Sequence, residues 1–282
     1  MAILAAFDVP VPWPEVMKRT IREMDEDNCF GLAAQLAFYF LMALFPALLF
    51  LVALIGYLPI DDALGALLAA LGAVAPSELL ALLRDQLAQI TGGNQAGLLT
   101  LGIVGALWSS SAAMVAIIDA LNHAFDVTEW RPWWKRRVVA ILLTVALALF
   151  IVTALALVLV GPAVASRAAE WLRLPPAVAT AWTFVRWPAI LFFVVLGVDL
   201  VYHFAPNRRV RWAWITPGSL LATALWIGSS FGFKLYVTNF GDYTATYGAI
   251  GGAIVTMLWF YVSSIAILVG AELNGVIEHA RR

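Results

Sequence analysis

The stretch Val138–Val160 reads VVAILLTVALALFIVTALALVLV and contains no charged side chain. About 20 apolar residues in a helix cross the roughly 30 Å hydrocarbon core of a bilayer. Strands of a membrane β-barrel would alternate apolar and polar residues, and this stretch does not alternate. Because backbone groups find no water in lipid, the segment is predicted to be a transmembrane helix.

Five other stretches share this apolar character. The 282-residue chain is 63% hydrophobic and 12% charged, with a mean hydropathy of +0.89. Such a composition excludes a water-soluble globule. The predicted fold class is therefore an all-α polytopic membrane protein with six transmembrane helices. The predicted spans are Gly31–Leu58, Leu98–Ile118, Val138–Val160, Trp187–Phe204, Trp212–Val237 and Gly248–Ala271.

The basic residues predict the orientation of these spans. If the N-terminus is inside, twelve lysines and arginines fall in cytoplasmic segments and five in the opposite segments. Lysine and arginine are enriched in cytoplasmic loops. We therefore expect both termini to lie in the cytoplasm.

The remaining segments predict one part on each side of the six-helix domain of residues 31–274 and one element within that domain. Residues 1–30 are predicted to form a cytoplasmic amphipathic segment, because Val16, Ile21 and Met24 recur at roughly helical spacing. Residues 59–97 are predicted to form an extracytoplasmic helical hairpin, which is either a packed surface element or a lid over a cavity. Residues 275–282 are predicted to be a cytoplasmic tail.

Two residues of the first span have distinct expected roles. Pro46 removes one backbone hydrogen bond, so a kink and a hinge are expected there. Cys29 is the single cysteine of the chain, which rules out an internal disulfide and a multi-cysteine metal site. We expect Cys29 to act as a small apolar residue. No metal and no cofactor are expected.

Three stretches carry a family resemblance. They are AAQLAFYFLMALFPALLFL (Ala33–Leu51), LWSSSAAMVAIIDALNHAFDVTEWRPWWKRR (Leu107–Arg137) and the segment from YHFAPNRRV to GAELN (Tyr202–Asn274). In order and spacing they resemble the YihY/virulence-factor BrkB family of bacterial inner-membrane proteins. The resemblance implies six spans with both termini cytoplasmic, and a location in the bacterial inner membrane. It also implies a suspected role in transport, including that of lipids, and carries an old ribonuclease BN label that is generally regarded as mistaken.

Five ionisable residues near the inner ends of the spans are candidates for a substrate or proton path. Asp199 and His203 are spaced i, i+4 on one helical face, and Asp119 and His123 repeat that spacing. Such pairs could form a proton relay or a carboxylate–imidazole metal site, or only local hydrogen bonds near the headgroups. Glu272 is expected to pair with an arginine of an inner loop, with a coupling role as the alternative.

Three short motifs receive structural interpretations. GSSFG (Gly228–Gly232) fits a nucleophile motif formally, but it lies inside an apolar span without a histidine at similar depth, so close helix packing is expected. GAIGG (Gly248–Gly252) is expected to pack within the bundle, with a dimer contact as the rival. The basic run RPWWKRR (Arg131–Arg137) is attributed to anionic lipid, and neither nucleic-acid binding nor ribonuclease activity is expected.

Function is predicted only by class. The first hypothesis is transport or translocation of a lipid or other amphiphile, with membrane lipids as partners. The alternative is a non-transporting scaffold that anchors a periplasmic lipid-transfer protein through residues 59–97. The chain could also form a homo-oligomer. An intramembrane enzyme is disfavoured, because no catalytic constellation accompanies the spans.

Overall fold

The computed structural model describes residues 9–55, 96–159, 176–208, 214–240 and 249–281, together with the single positions 7, 65, 80 and 81. Within these residues the chain is helical and contains no strand, as predicted. The predicted hairpin at 59–97 falls almost wholly outside the described residues. The helices are α1 (Trp13–Glu26), α2 (Cys29–Ile55), α3 (Ala96–Ala124), α4 (Trp133–Leu159), α5 (Pro176–Phe204), α6 (Pro217–Phe240) and α7 (Ala249–Arg281).

The helices from α3 to α7 each contain a stretch long and apolar enough to cross a bilayer. Helix α2 becomes a sixth such element when it is taken together with α1, from which it is bent by 65°. The prediction of a polytopic all-α membrane protein is confirmed, and each predicted span coincides with a helix. Pro46 lies inside α2, and its role as a hinge remains a prediction.

Several helix boundaries differ from the predicted ones, and α5 begins at Pro176 rather than at Trp187. Helix α6 begins at Pro217 rather than at Trp212, because proline is well suited to the first turn and Thr216 stands just before it. Helix α7 continues to Arg281, so most of the predicted tail at 275–282 is the last part of a long helix.

Helix α1 is the short amphipathic helix that the sequence predicts. Its residues Val16 and Thr20 are buried, and Val16 packs in a cluster with Leu273 and Ile277 of α7. Ile21, expected on the same apolar face, is instead 65% exposed. Helix α1 is therefore attached to the bundle through α7, and Asn28 then turns the chain into α2 with a φ of 50°.

Helices α2, α3 and α7 form the centre of the bundle. Their buried side chains, among them Leu36, Ile118, Leu121 and Leu268, belong to one continuous apolar core. Helices α4, α5 and α6 instead carry many exposed large apolar residues. This pattern fits a bundle surrounded by lipid, since hydrocarbon can cover the outward faces of these helices.

Helices α6 and α7 approach each other closely. A Cβ atom on Gly218 would overlap the carbonyl oxygen of Gly270, and a Cβ on Gly270 would stand 2.6 Å from the Tyr202 hydroxyl oxygen. Only glycine allows this contact. The glycines of GSSFG do not supply a similar approach, because a Cβ atom added at Gly228 or Gly232 would meet no atom of the described residues within 4 Å.

We expect Gly270→Ala to destabilise the bundle by about 1–3 kcal/mol, because the added methyl group cannot be accommodated without moving α6 away from α7. The matched control is Gly232→Ala, whose methyl group would meet nothing within 4 Å and would favour the helix by roughly 0.5–1 kcal/mol. Thermal unfolding of the two purified variants in one detergent compares them. Equal melting temperatures would contradict the proposed tight crossing.

Candidate polar site at one end of the bundle

The carboxylate of Asp199 is held by the beginning of α6. Asp199 is 2% exposed and lies near the end of α5. Its Oδ1 accepts a hydrogen bond of 2.6 Å from the Thr216 hydroxyl, and its Oδ2 accepts one of 2.7 Å from the Ser219 hydroxyl. The backbone N–H of Thr216 also donates to Oδ2 at 3.3 Å. Since helix N-termini favour negative charge, this burial needs no metal and no basic partner.

The side chain of Asn274 joins α7 to the same cluster. The backbone N–H of Gly218 donates to Asn274 Oδ1 at 2.9 Å, and Asn274 Nδ2 donates to the Thr216 hydroxyl oxygen at 2.9 Å. Three helices therefore meet in one hydrogen-bonded unit of Asp199, Thr216, Ser219 and Asn274, which we call the Asp199 cluster.

The predicted carboxylate–imidazole pairs are not formed through their carboxylates. Both Asp199 oxygens accept from α6, while His203 packs edge-on against Phe204 with ring centroids 4.6 Å apart. His123 Nδ1 lies 2.8 Å from the backbone carbonyl oxygen of Asp119, and the Asp119 carboxylate accepts from Arg136 at 2.7 Å. In the ranges that the structure describes, no group of three or more His, Cys, Asp or Glu could hold a metal ion.

Glu272 is a buried acid with a much weaker partner. It is 2% exposed, and its Oε1 accepts a hydrogen bond from the Cys29 thiol with a sulfur–oxygen distance of 3.2 Å. A thiol is a weak donor. The sequence predicts an arginine of an inner loop as the partner of Glu272. One of these arginines, Arg208, pairs with Glu278 and stands 3.5 Å from the Phe125 ring centroid. The pairing of Glu272 with an inner-loop arginine stays a prediction.

A shallow cleft lies close to Glu272. Its volume is about 250 Å³, and Asp27 lines it two residues before Cys29. Burial raises the pKa of Asp27, and the neighbouring carboxylates of Asp126 and Glu23 raise it further. The same groups act electrostatically on Glu272, so they lie at its end of the bundle. The residues lining the cleft are Asp27, Asn122, His123, Asp126, Val127 and Thr128.

The loop after α3 is tied to the end of α5. Arg131 pairs with Glu129 at 2.6 Å and also donates to the backbone carbonyl of Ala205 at 2.7 Å. The Asn207 N–H donates to Asn122 Oδ1 at 2.8 Å. Burial alone would raise the pKa of Glu129, but hydrogen bonds from Arg131 and Asn122 outweigh it and hold that pKa below its usual value. Part of the basic run RPWWKRR therefore serves internal pairing.

The model of the family described as Virulence factor BrkB matches residues 20–282. The chain belongs to the BrkB family. Among its relatives, the putative ribonuclease-like protein YfkH of Bacillus subtilis is 37% identical over 252 residues, which cover 89% of this chain and 90% of YfkH. A UPF0761 membrane protein of Rhodospirillum centenum is 26% identical over 271 residues, or 94% of this chain, but the match covers only 58% of that longer protein.

A UPF0761 membrane protein of Tolumonas auensis is 37% identical over 81 residues, covering 29% of this chain and 27% of the relative. No solved structure matches the chain. The resemblance noted in the sequence is confirmed by the family match. The described residues contain five or six helical elements long and apolar enough to cross a membrane, so this BrkB-family protein is an integral, multi-pass membrane protein.

Several members of the site are missing from the sequence-based candidates. Thr216 and Ser219 had a local signal, since a threonine before Pro217 is typical of a helix start. The pairing of Cys29 with Glu272 had no local sequence signal, because these residues are 243 positions apart and meet only through helix packing.

We expect Asp199→Ala to destabilise the protein by about 1–3 kcal/mol, because the buried Ser219 hydroxyl and the half-buried Thr216 hydroxyl lose their acceptor. Asp119→Ala is the control. Its carboxylate pairs with Arg136 and is 44% exposed, so a loss of less than about 1 kcal/mol is expected. Unfolding in detergent, followed by circular dichroism, measures both. A larger loss for Asp119→Ala would contradict the role given to the Asp199 cluster.

Proposed function

We propose that this BrkB-family protein translocates a lipid or another amphiphile across the bacterial inner membrane, and that Glu272 binds and releases a proton during the cycle. The observation that carries the second part is the burial of Glu272 with a thiol as its hydrogen-bond donor among the described residues. An ionisable side chain inside a membrane bundle is costly and is usually retained for function.

The surroundings of Glu272 support a protonation role. The Cys29 thiol of α2 donates a hydrogen bond to Glu272. Three carboxylates also interact electrostatically with Glu272: Glu23 of α1, Asp27 just after α1, and Asp126 in the loop after α3. All of these neighbours are acidic or neutral. A nearby negative charge favours a proton on the carboxyl group, and the cleft beside Asp27 offers a route by which a proton can arrive from water.

Mixed polar and apolar surface near the Asp199 cluster supports an amphiphilic cargo. Phe204, Trp214 and Leu220 are exposed apolar side chains. They are close in sequence to the buried Asp199 and the half-buried Thr216. An amphiphile has a polar headgroup that needs hydrogen-bonding partners and chains that stay in hydrocarbon. A site at the edge of the bundle satisfies both needs.

One observation favours the alternative of a non-transporting scaffold. Helices α6 and α7 are in tight contact at Gly218 and Gly270, and a Cβ on Gly275 of α7 would stand 2.6 Å from the Ala124 carbonyl oxygen. Such close packing leaves little room for cargo at this end. A scaffold would act through residues 59–97 on a periplasmic lipid-transfer protein.

Reconstitution into liposomes tests lipid translocation and the protonation of Glu272 together. In liposomes with fluorescent phospholipids, we expect wild-type protein to move lipid between leaflets at a rate that depends on a pH gradient. Glu272→Gln should abolish the dependence on pH, because the amide cannot titrate. Glu26→Gln is the control, since Glu26 is an exposed residue of α1, and it should behave like wild type.

The outcomes separate the hypotheses. Translocation no faster than in protein-free vesicles would contradict transport of these lipids and favour the scaffold. Normal translocation with an unchanged pH response in Glu272→Gln would remove Glu272 from the mechanism and leave transport standing.

The orientation is a separate prediction. Because basic residues are concentrated in the segments assigned to the inside, a fluorescent protein fused after Arg282 should fluoresce, whereas alkaline phosphatase fused there should be inactive. The matched fusion carries the same reporters within residues 59–97, where the opposite pattern is expected. An active phosphatase after Arg282 would overturn the assignment.

A further inference from the structure

Buried hydroxyl groups recur along both α6 and α7. On α6, Ser219, Thr223 and Ser230 are at most 3% exposed. Their spacing of four and seven residues places them on one stripe of the helix. On α7, Thr256 and Ser263 are buried and also seven residues apart. We call these five residues the hydroxyl seam.

Two contacts set the register of the seam. Gly218 faces Gly270 at one end, and Trp259 Nε1 donates to the Ser230 hydroxyl oxygen at 3.2 Å further along. At 1.5 Å per residue, Ser230 lies about 18 Å from Gly218, and Trp259 lies about 17 Å from Gly270. The two helices therefore run antiparallel with matching axial distances between their contacts. Each seam position can then be assigned an axial distance from the Gly218–Gly270 contact.

The seam crosses most of the hydrophobic thickness. By the same rise, Thr223 lies about 8 Å and Thr256 about 21 Å from the Gly218–Gly270 contact. The Asp199 cluster closes the near end, since Ser219 donates to Asp199 and Asn274 accepts from Gly218. Polar side chains thus recur along a path comparable to the roughly 30 Å of a bilayer core.

Two seam hydroxyls lack hydrogen-bond partners. Thr223 is 3% exposed and Thr256 is 0% exposed, and neither Oγ1 has a partner among the described residues. Threonine in a helix commonly donates to the carbonyl four residues earlier. Thr144 and Thr153 of α4 do so at 2.8 Å each. A buried hydroxyl without a partner is costly, so Thr223 and Thr256 need a hydrogen-bond partner beyond those that the described residues supply.

We propose that the hydroxyl seam binds water molecules at Thr223 and Thr256, and so extends the polar Asp199 cluster into the other half of the bundle. Buried water usually makes about three hydrogen bonds to groups that would otherwise lack partners. The neighbouring hydroxyls and backbone carbonyls of the two helices supply the remaining bonds. The proposal is independent of the cargo and of Glu272.

The direction in which valine substitutions change the melting temperature tests whether the seam binds water. We expect Thr223→Val and Thr256→Val to lower the melting temperature by about 2–5 °C, because a bound water loses a hydrogen-bond partner. A dry seam predicts the reverse, since valine removes an unsatisfied hydroxyl while keeping the shape. Thr144→Val is the control, because the Thr144 hydroxyl donates within its own helix. Unchanged or raised melting temperatures for the two seam variants would overturn the proposal.

Thiol reactivity provides a second measurement in the membrane. In a Cys29→Ser background, single cysteines at positions 223 and 256 are exposed to a small, water-soluble methanethiosulfonate. The control is Leu268→Cys, at a fully buried position of the apolar core. A hydrated seam predicts modification at least tenfold faster at the seam positions than at 268, because the thiolate forms only in contact with water. Equal rates at all three positions would exclude water from the seam.

Discussion

The hydrogen bonds between the Asp199 carboxylate and the first turn of α6 determine the arrangement of one end of this bundle. Three donors from Thr216 and Ser219 meet two carboxylate oxygens, and Asn274 brings α7 to the same point. In a membrane, helices gain little from hydrophobic association, so polar contacts and close packing decide their register. The tight approach of Gly218 to Gly270 lies at this cluster, which indicates that the two features act together.

The two buried acids differ in how their charge is compensated. Asp199 has three good donors and the positive end of a helix dipole, so it can remain ionised as a structural element. Glu272 has one weak donor and acidic neighbours. Asp199 and Glu272 are therefore equally buried but have different interpretations. Asp199 holds helices together, whereas Glu272 is the acid for which we propose a change of charge state.

The sequence predicted the helices well and the site only in part. Long apolar runs such as Val138–Val160 have one stable form in lipid, so their helices follow from length and composition alone. The i, i+4 spacing correctly placed Asp119 and His123 on one helix face, yet His123 contacts the backbone carbonyl of Asp119 while the Asp119 carboxylate accepts from Arg136. Partners such as Cys29 and Glu272 depend on how helices rotate about their axes, and the nearly uniform apolar composition of the spans carries little information about rotation.

The distribution of hydroxyl groups adds a constraint on how the bundle can work. Helices that only anchored a partner would lose nothing if their buried contacts were purely apolar, since Val in place of Thr keeps the shape without an unsatisfied group. Yet Thr223 and Thr256 keep hydroxyls that lack partners among the described residues, on the same two helices whose end holds Asp199. A polar line through the bundle is useful to a protein that moves protons or headgroups, because these must be solvated on the way. The hydroxyl seam is thus an argument for the proposed translocation, whereas the closed contact at Gly218 and Gly270 is an argument for the proposed scaffold.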